Sequence, residues 1–330
     1  MDGRFSRRAV LTGGLAATGA VLAACAHAPP ARSLPRIGFL LGAGYPDLLA
    51  AFHDEMARLG YVQDRNIHIV QRLGRPGTDD TRLHTAELAA MDLDLIVAAA
   101  LPHALLVRAA NPNVPMVIGT GAGLVCNGFG RTMERPGGNA TGMDELPAGL
   151  TARRLELLTM AAPRLRRVGL LSTTPATCGH DLQLADALAG AERIGVAVQA
   201  YRATNVAEIG QALAAMVHDG QQGFVNFQGG LSLGDRQRIV EFAAANRLPA
   251  IYQSVLFAEA GGLMTWAPDQ NEQLRMAARY ADRILRGAAP GDLPILHPDR
   301  YFLTLNRQAA QRIGVAFPQP LLDQADRVIG

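Results

Sequence analysis

From Arg36 onward, short apolar runs alternate with amphipathic stretches. RIGFLL (36–41) is a continuous apolar run of the length of a buried strand. The stretch after it, 45–60, places Leu48, Leu49, Phe52, Met56 and Leu59 on one helical face, and Gly60 ends it. The pattern predicts a strand over 66–73 and a helix over 80–91. LDLIVAAA (93–100) reads as a strand, PHALLVRAAN (102–111) as a helix and VPMVIGT (114–120) as a fourth strand. Strands alternating with helices of this length imply βαβ units and a parallel sheet.

The same order then recurs. RVGLLS (167–172) echoes RIGFLL, with Gly169 lying 131 residues after Gly38. GVAVQAY (195–201) parallels the second strand and GFVNFQG (223–229) the third. RLPAIYQS (247–254) parallels NVPMVIGT (113–120), Pro249 following Pro115 by 134 residues. Between the halves, the Gly-rich stretch 134–146 is expected to form a turn suited to a crossover. A long amphipathic helix is predicted from about Asp269 to Leu285, broken by RGAAPGDLP (286–294), before one more strand (300–306) and helix (307–314). The expected fold is therefore α/β: two Rossmann-like lobes with parallel sheets around a central cleft. Open parallel sheets bind ligands at the carboxyl ends of their strands, and two facing lobes can close by hinge bending.

The segment before Arg36 has a different character. FSRRAVL sets Arg7 beside Arg8, ahead of an apolar run diluted by Gly13, Gly14 and Gly19. A spanning helix needs about 20 mostly apolar residues, so the run reads as an address, with paired arginines like a twin-arginine export signal. LAAC (22–25) resembles a bacterial lipobox, in which Cys25 carries a lipid and becomes the first mature residue; an ordinary signal cut nearby, leaving Cys25 a thiol, is the alternative. The expected organisation is a signal over 1–24, a tether over 25–35, an N-lobe over 36–143 to which about 268–296 returns, and a C-lobe over 144–267 with about 297–330. The expected location is the periplasm or the outer face of the cell membrane, lipid-anchored.

Charge and composition remove several function classes. Of 31 basic and 29 acidic residues, three and one fall in 1–24, leaving 28 of each. Nucleic-acid binding requires a clustered basic footprint, and none is present. The chain contains no lysine, which excludes a Walker lysine, a Schiff base and a pyridoxal-phosphate site. No G-x-S-x-G, H-E-x-x-H or C-x-x-C occurs, and the glycines of 119–130 lack the strand–turn–helix context of a dinucleotide fingerprint. The eight histidines show no metal-ligand spacing; His103, just past a strand end, is read as a solvated loop residue. No cofactor and no metal are expected. Cys126 and Cys178 fall in separate lobes and are expected to be free thiols, although an oxidising compartment permits a bridge. A racemase with one thiol per lobe would use such a pair, but the repeat offset matches Cys178 to Asp47, so the two are not equivalent.

These residues resemble one family. RIGFLL, AFHDEMARLGYVQDRNIHI (51–69), RPGGNATG (135–142), RLELL (154–158), LPAIYQSVLFAEAGGLMTWAPD (248–269) and ADRILRGAAPGDLPI (281–295) are similar to the ABC-transporter substrate-binding proteins of the tryptophan/tyrosine-binding-like group. The resemblance implies a periplasmic-binding-protein type I fold with three crossovers and no enzymatic activity. It implies capture of a small organic solute, with aromatic amino acids bound by characterised relatives, and delivery to a membrane permease driven by an ATPase. A monomer is expected. A ligand-sensing subunit of a membrane receptor would use the same cleft, and a two-lobed enzyme such as a racemase is the alternative from another class. The sequence departs from the family where pockets form: Gly123-Leu124 replaces a usual Asp-Pro, STTPATCGH (172–180) lacks a usual Asn-Pro, and QGG (228–230) replaces a PDP motif. Ligand identity is therefore not carried over.

Topology alone nominates the ligand-binding residues. The first lobe offers Gly44 and Tyr45, then Leu101, Pro102 and His103 at a helix start whose free N–H groups suit a carboxylate, then Thr120 and Gly121. The second offers Thr173, Thr174, Gln228, Gln253 and Ser254, with Trp266 near a crossover. Neutral hydrogen-bonding groups beside aromatic faces suit a small polar organic solute.

Overall fold

A computed structural model describes residues 34–43, 45–74, 79–173, 177–227 and 229–330. The signal, Cys25, Gly44, Thr174 and Gln228 lie outside the described residues. The chain opens with β1 (Arg36–Gly42), α1 (Pro46–Arg58), β2 (His68–Gly74), α2 (Asp79–Ala89), β3 (Leu95–Ala98), α3 (Leu101–Ala110), β4 (Met116–Ile118) and β5 (Ala140–Gly142). It continues through α4 (Leu150–Ala161), β6 (Arg167–Ser172), α5 (Cys178–Ile194), β7 (Ala197–Arg202), α6 (Val206–His218) and β8 (Gly223–Asn226). Next come α7 (Gly230–Gly234), α8 (Arg236–Ala245), β9 (Ala250–Tyr252), α9 (Val255–Glu259) and β10 (Met264–Pro268). The last elements are α10 (Gln270–Leu285), β11 (Tyr301–Asn306), α11 (Arg307–Ile313), α12 (Gln319–Leu322) and β12 (Arg327–Ile329).

Two sheets result, a five-stranded one in the order β2-β1-β3-β4-β5 and a seven-stranded one in the order β12-β11-β10-β9-β8-β6-β7. Without β11 and β12, the second sheet repeats the first, β6 standing for β1. The repeated glycines have a packing reason. Gly38 pairs with Ile96 on β3, and Gly169 with Phe224 on β8, the third strand of its own half. A Cβ on Gly38 would sit 2.8 Å from the tip of Leu93, and one on Gly169 would sit 2.9 Å from the sulfur of Met216. In both halves a side chain fills the space that the missing methyl leaves.

Three strands escape the apolar-run reading. Residues 134–146 hold β5, only three residues long and ending in glycine, in a stretch expected to be a turn. β10 alternates rather than running apolar, with Met264 and Trp266 on one face and Thr265 and Ala267 on the other, and it pairs antiparallel with β11. β12 carries almost no buried surface to mark it.

The chain passes between the layers at 143–149, at Asp269 and at 286–300. The middle pass delivers α10 to the first sheet. Asp269 caps this helix, its carboxylate accepting from the N–H groups of Asn271 and Glu272. Leu274, Ala277, Ala278 and Ala281 lie on one stripe and are buried with Phe39 and Phe52. The first hydrophobic core is thus completed by residues far along the chain. Leu274→Ala should cost about 2–5 kcal/mol of stability, read as a lowered urea midpoint. Leu182→Ala, on the exposed side of α5, should stay within about 0.5 kcal/mol.

Candidate ligand-binding cleft

The carboxyl ends of β6, β8 and β9 gather a set of neutral polar side chains. Thr173 Oγ1 accepts from the Ser232 N–H at 3.1 Å, and the Gln253 amide donates to Ser232 Oγ at 3.1 Å. Ser172 Oγ meets His180 Nδ1 at 2.8 Å, so His180 is a buried, hydrogen-bonded residue. Asn226, fully buried at the end of β8, has no partner for either amide atom among the described residues, and Gln253 has none for Oε1. Buried polar groups are normally satisfied; these amide atoms are exceptions. Asn226 was not nominated from the sequence, although its place at the end of an apolar run was a usable signal.

From the first sheet, Thr120 Oγ1 donates to the Ala99 carbonyl, and the Leu101 N–H donates to the Thr120 carbonyl. These bonds tie the ends of β3 and β4 together. They also alter the expected carboxylate cradle at α3: the Leu101 donor is taken and Pro102 has none, so two of the first three are unavailable. Leu101 itself packs in the core. His103 corrects the solvated-loop expectation. It is 9 % exposed, its Nδ1 has no partner among the described residues, and burial holds the imidazole down to about 4. Gly121 is pressed between Leu101 and Leu124. Tyr45 starts α1 with its ring in the first core, and burial raises its phenol while Arg236, at the start of α8, pulls it the other way.

The layers meet directly. Ser254 Oγ donates to Gln270 Oε1 at 2.8 Å, from the end of β9 to the start of α10. Leu233 and Leu256 of the second half pack against the first core. Gly179 meets the loop after β4 so closely that a Cβ there would lie 2.2 Å from the Ala122 carbonyl oxygen. Beside it, Cys126 and Cys178 are joined, with Cα atoms 5.9 Å apart. This overturns the expectation of free thiols: loops that are not equivalent in the repeat still face each other when strand ends are opposed. In the chain-entropy account a bridge spanning 52 residues stabilises by about 4 kcal/mol.

A cavity of about 340 Å³ lies among the starts of α1 and α10, α9, β10 and β11, lined among others by Tyr45, Leu256, Thr265, Ala267, Gln270 and Thr304. Of the nominated residues that are described, only Tyr45 lines it. Trp266, nominated as an aromatic face, turns to the other side of β10, where its ring stacks on Tyr301 at 6.1 Å; Thr265 and Ala267 face the cavity instead.

The hinge passes are braced on one another. Asp144 accepts from the N–H groups of Leu124 at 2.7 Å, Leu146 at 3.0 Å and Gly123 at 3.1 Å. His297 Nδ1 lies 2.7 Å from the Asp144 carbonyl, and the Tyr301 hydroxyl donates to the Glu145 carbonyl at 2.8 Å. Arg154, fully buried on α4, donates from Nε and Nη2 to the Trp266 carbonyl.

The His103 environment has a pH signature. An unfolded chain protonates its imidazole near pH 6.5, whereas the folded protein resists until about 4. Its contribution is whole above about pH 6.5 and is lost as pH falls toward 4, a change of about 3 kcal/mol. His103→Leu should therefore remove that part of the acid destabilisation, measured as melting temperature between pH 7 and 4. An unaltered acid slope would contradict the assignment.

Comparison with known proteins places this architecture. Residues 51–329 match the family described as ABC transporter substrate binding protein. A tyrosine-binding protein of Clostridioides difficile is 21 % identical over 254 residues, covering 77 % of this chain and 72 % of that protein. Among solved structures, the ABC domain in complex with L-Trp from Streptococcus pneumonia superposes with a TM-score of 0.82 at 22 % identity, over 90 % of this chain and 100 % of that one. A ligand-free, open substrate-binding protein with adhesive properties from Clostridium difficile gives 0.63 at 21 % identity, over 90 % and 99 %. With two mostly parallel sheets meeting at their strand ends, and a family match spanning most of its length, this chain belongs to the ABC transporter substrate-binding protein family, whose members bind small solutes and are not enzymes.

Proposed function

We propose that this protein is an extracytoplasmic solute-binding lipoprotein of an ABC importer. It captures a small organic solute between the layers and delivers it to an inner-membrane permease and its ATPase. The observation that carries the reading is the pair of open amides, Asn226 and Gln253, buried at adjacent strand ends where the two sheets face each other. His103, Thr120 and Gly121 on one side and Thr173 and Ser254 on the other complete the proposed contact set. In this reading the first lobe comprises about 36–143 with 268–296, and the second 144–267 with 297–330. The solute is an uncharged or zwitterionic compound of amino-acid size. The relatives' recorded ligands, L-Trp and tyrosine, define where a search begins.

Thermal unfolding with L-tryptophan, L-tyrosine, a nucleoside series and myo-inositol tests this directly. A bound solute at a thousand times its dissociation constant adds about 4 kcal/mol, so one class should raise the melting temperature saturably. Asn226→Ala and Gln253→Ala should each weaken that binding by about tenfold, through loss of a buried hydrogen bond. No shift with any small solute, or chemical conversion of one, would sink the reading. The anchor is tested separately. Cys25→Ala should move the protein from membranes to the soluble fraction; retention without lipid would remove the lipoprotein part and leave the carrier part untouched.

A further inference from the structure

We infer that the Cys126–Cys178 disulfide is a redox latch across the solute cleft. Oxidised, it confines the two layers to the closed arrangement; reduced, it lets the hinge open. The inference rests on reading the layers as a jaw around a solute.

Both sulfurs are carried on rigid supports that belong to different sheets. Cys126 lies in a short helical turn, Val125–Phe129, that follows β4. That turn is held on two sides: Arg108 of α3 donates to the Asn127 carbonyl and Asn127 to the Ala122 and Gly123 carbonyls, while the Asp144 carboxylate on the first hinge pass holds the Gly123 and Leu124 N–H groups. Cys178 opens α5, whose first turn is capped by the Thr177 hydroxyl. Neither sulfur can follow the other by a loop simply swinging free.

The geometry then limits travel. Bridged cysteines keep their Cα atoms within about 4.4–6.8 Å, and here they are 5.9 Å apart. The bond leaves about 1 Å of separation at this point before the backbone itself must deform. The adjoining backbones are already in contact at Gly179 and Ala122. Hinge opening separates facing strand-end loops, so the bond opposes the movement by which solute enters and leaves. Neither cysteine belongs to the proposed contact set, so the latch acts on exchange rather than on the contacts themselves.

Release requires a dithiol reductant. One of its thiolates attacks Cys126 or Cys178, forming a mixed disulfide and freeing the other cysteine as a thiol. Its second thiol then displaces the bound cysteine. Two electrons and two protons pass to the protein, leaving two cysteine thiols, and the dithiol becomes a cyclic disulfide.

The test needs no solute. Full-length protein purified without reductant, the same protein after dithiothreitol treatment, and C126S/C178S are compared by peptide mass mapping, X-ray scattering and hydrogen exchange. Mapping should recover the cross-linked peptides from the untreated sample. Reduction should enlarge the radius of gyration and speed exchange at 120–127 and 177–183 by at least tenfold, while amides of β1 and β6 keep their protection; reoxidation should reverse both. If the double variant fails to fold, reduced wild-type protein carries the comparison. Recovery of both cysteines as thiols from the untreated sample overturns the latch. So does a reduced protein whose scattering and exchange match those of the oxidised one, and so does loss of protection spread over the whole chain. A failed solute screen with a redox-dependent opening would reject the carrier reading and keep the latch; the opposite pair of results would do the reverse.

Discussion

The three passes between layers must lie side by side, because only then do the strand ends of two sheets face each other. One carboxylate does much of this. Asp144, on the first pass, accepts from three backbone N–H groups, two of them in the loop after β4. Its own carbonyl meets His297 on the third pass. Arg154 reaches from α4 to the carbonyl of Trp266 in β10, the strand that leads into the second, with burial lowering its guanidinium to about 10, still charged at any physiological pH. A buried charge is costly unless hydrogen-bonded; here two of its N–H groups share the Trp266 carbonyl. Polar bonds to main chain fix position without demanding particular side chains on the other pass.

The cleft shows the opposite policy toward polar groups. Around the hinge, Asp144, His297, Tyr301 and Arg154 bond main-chain groups. At the ends of β8 and β9 amide atoms are buried and left open. A buried group left without any partner costs about 1–3 kcal/mol. A folded chain tolerates that only where the rest of the structure over-determines the position, and strand ends inside two packed cores meet that condition.

Most of the architecture was legible because it rests on period. Continuous apolar runs marked β1, β3, β4, β6, β8 and β9, and the apolar stripe from Leu274 to Ala281 marked α10. The duplication was readable from Gly38 and Gly169, whose spacing reflects a packing requirement met twice. β5 and β12 were not legible, since Ala-Thr-Gly and Arg-Val-Ile lie in no continuous apolar run. The site was legible only by position. Topology could place His103 and Gln253 at strand ends, but whether a histidine there is wet or buried depends on α3 packing into the core, a tertiary fact. Trp266 was misplaced for a related reason: in an alternating strand a shift of one residue exchanges faces, and Thr265 and Ala267 took the cavity side. The cysteine pair failed differently, since sequence offset describes equivalence between halves and says nothing about apposition.

Leu233 and Leu256 add a consequence of their own. Both belong to the second half, and both rest against the first hydrophobic core. Separating the layers wets them, at a cost of up to about 1.5–3 kcal/mol for each side chain fully exposed. That cost opposes any separation of the layers, and a conformer with them parted is populated only to the fraction the cost allows. How often two leucines meet water then measures how often the layers part.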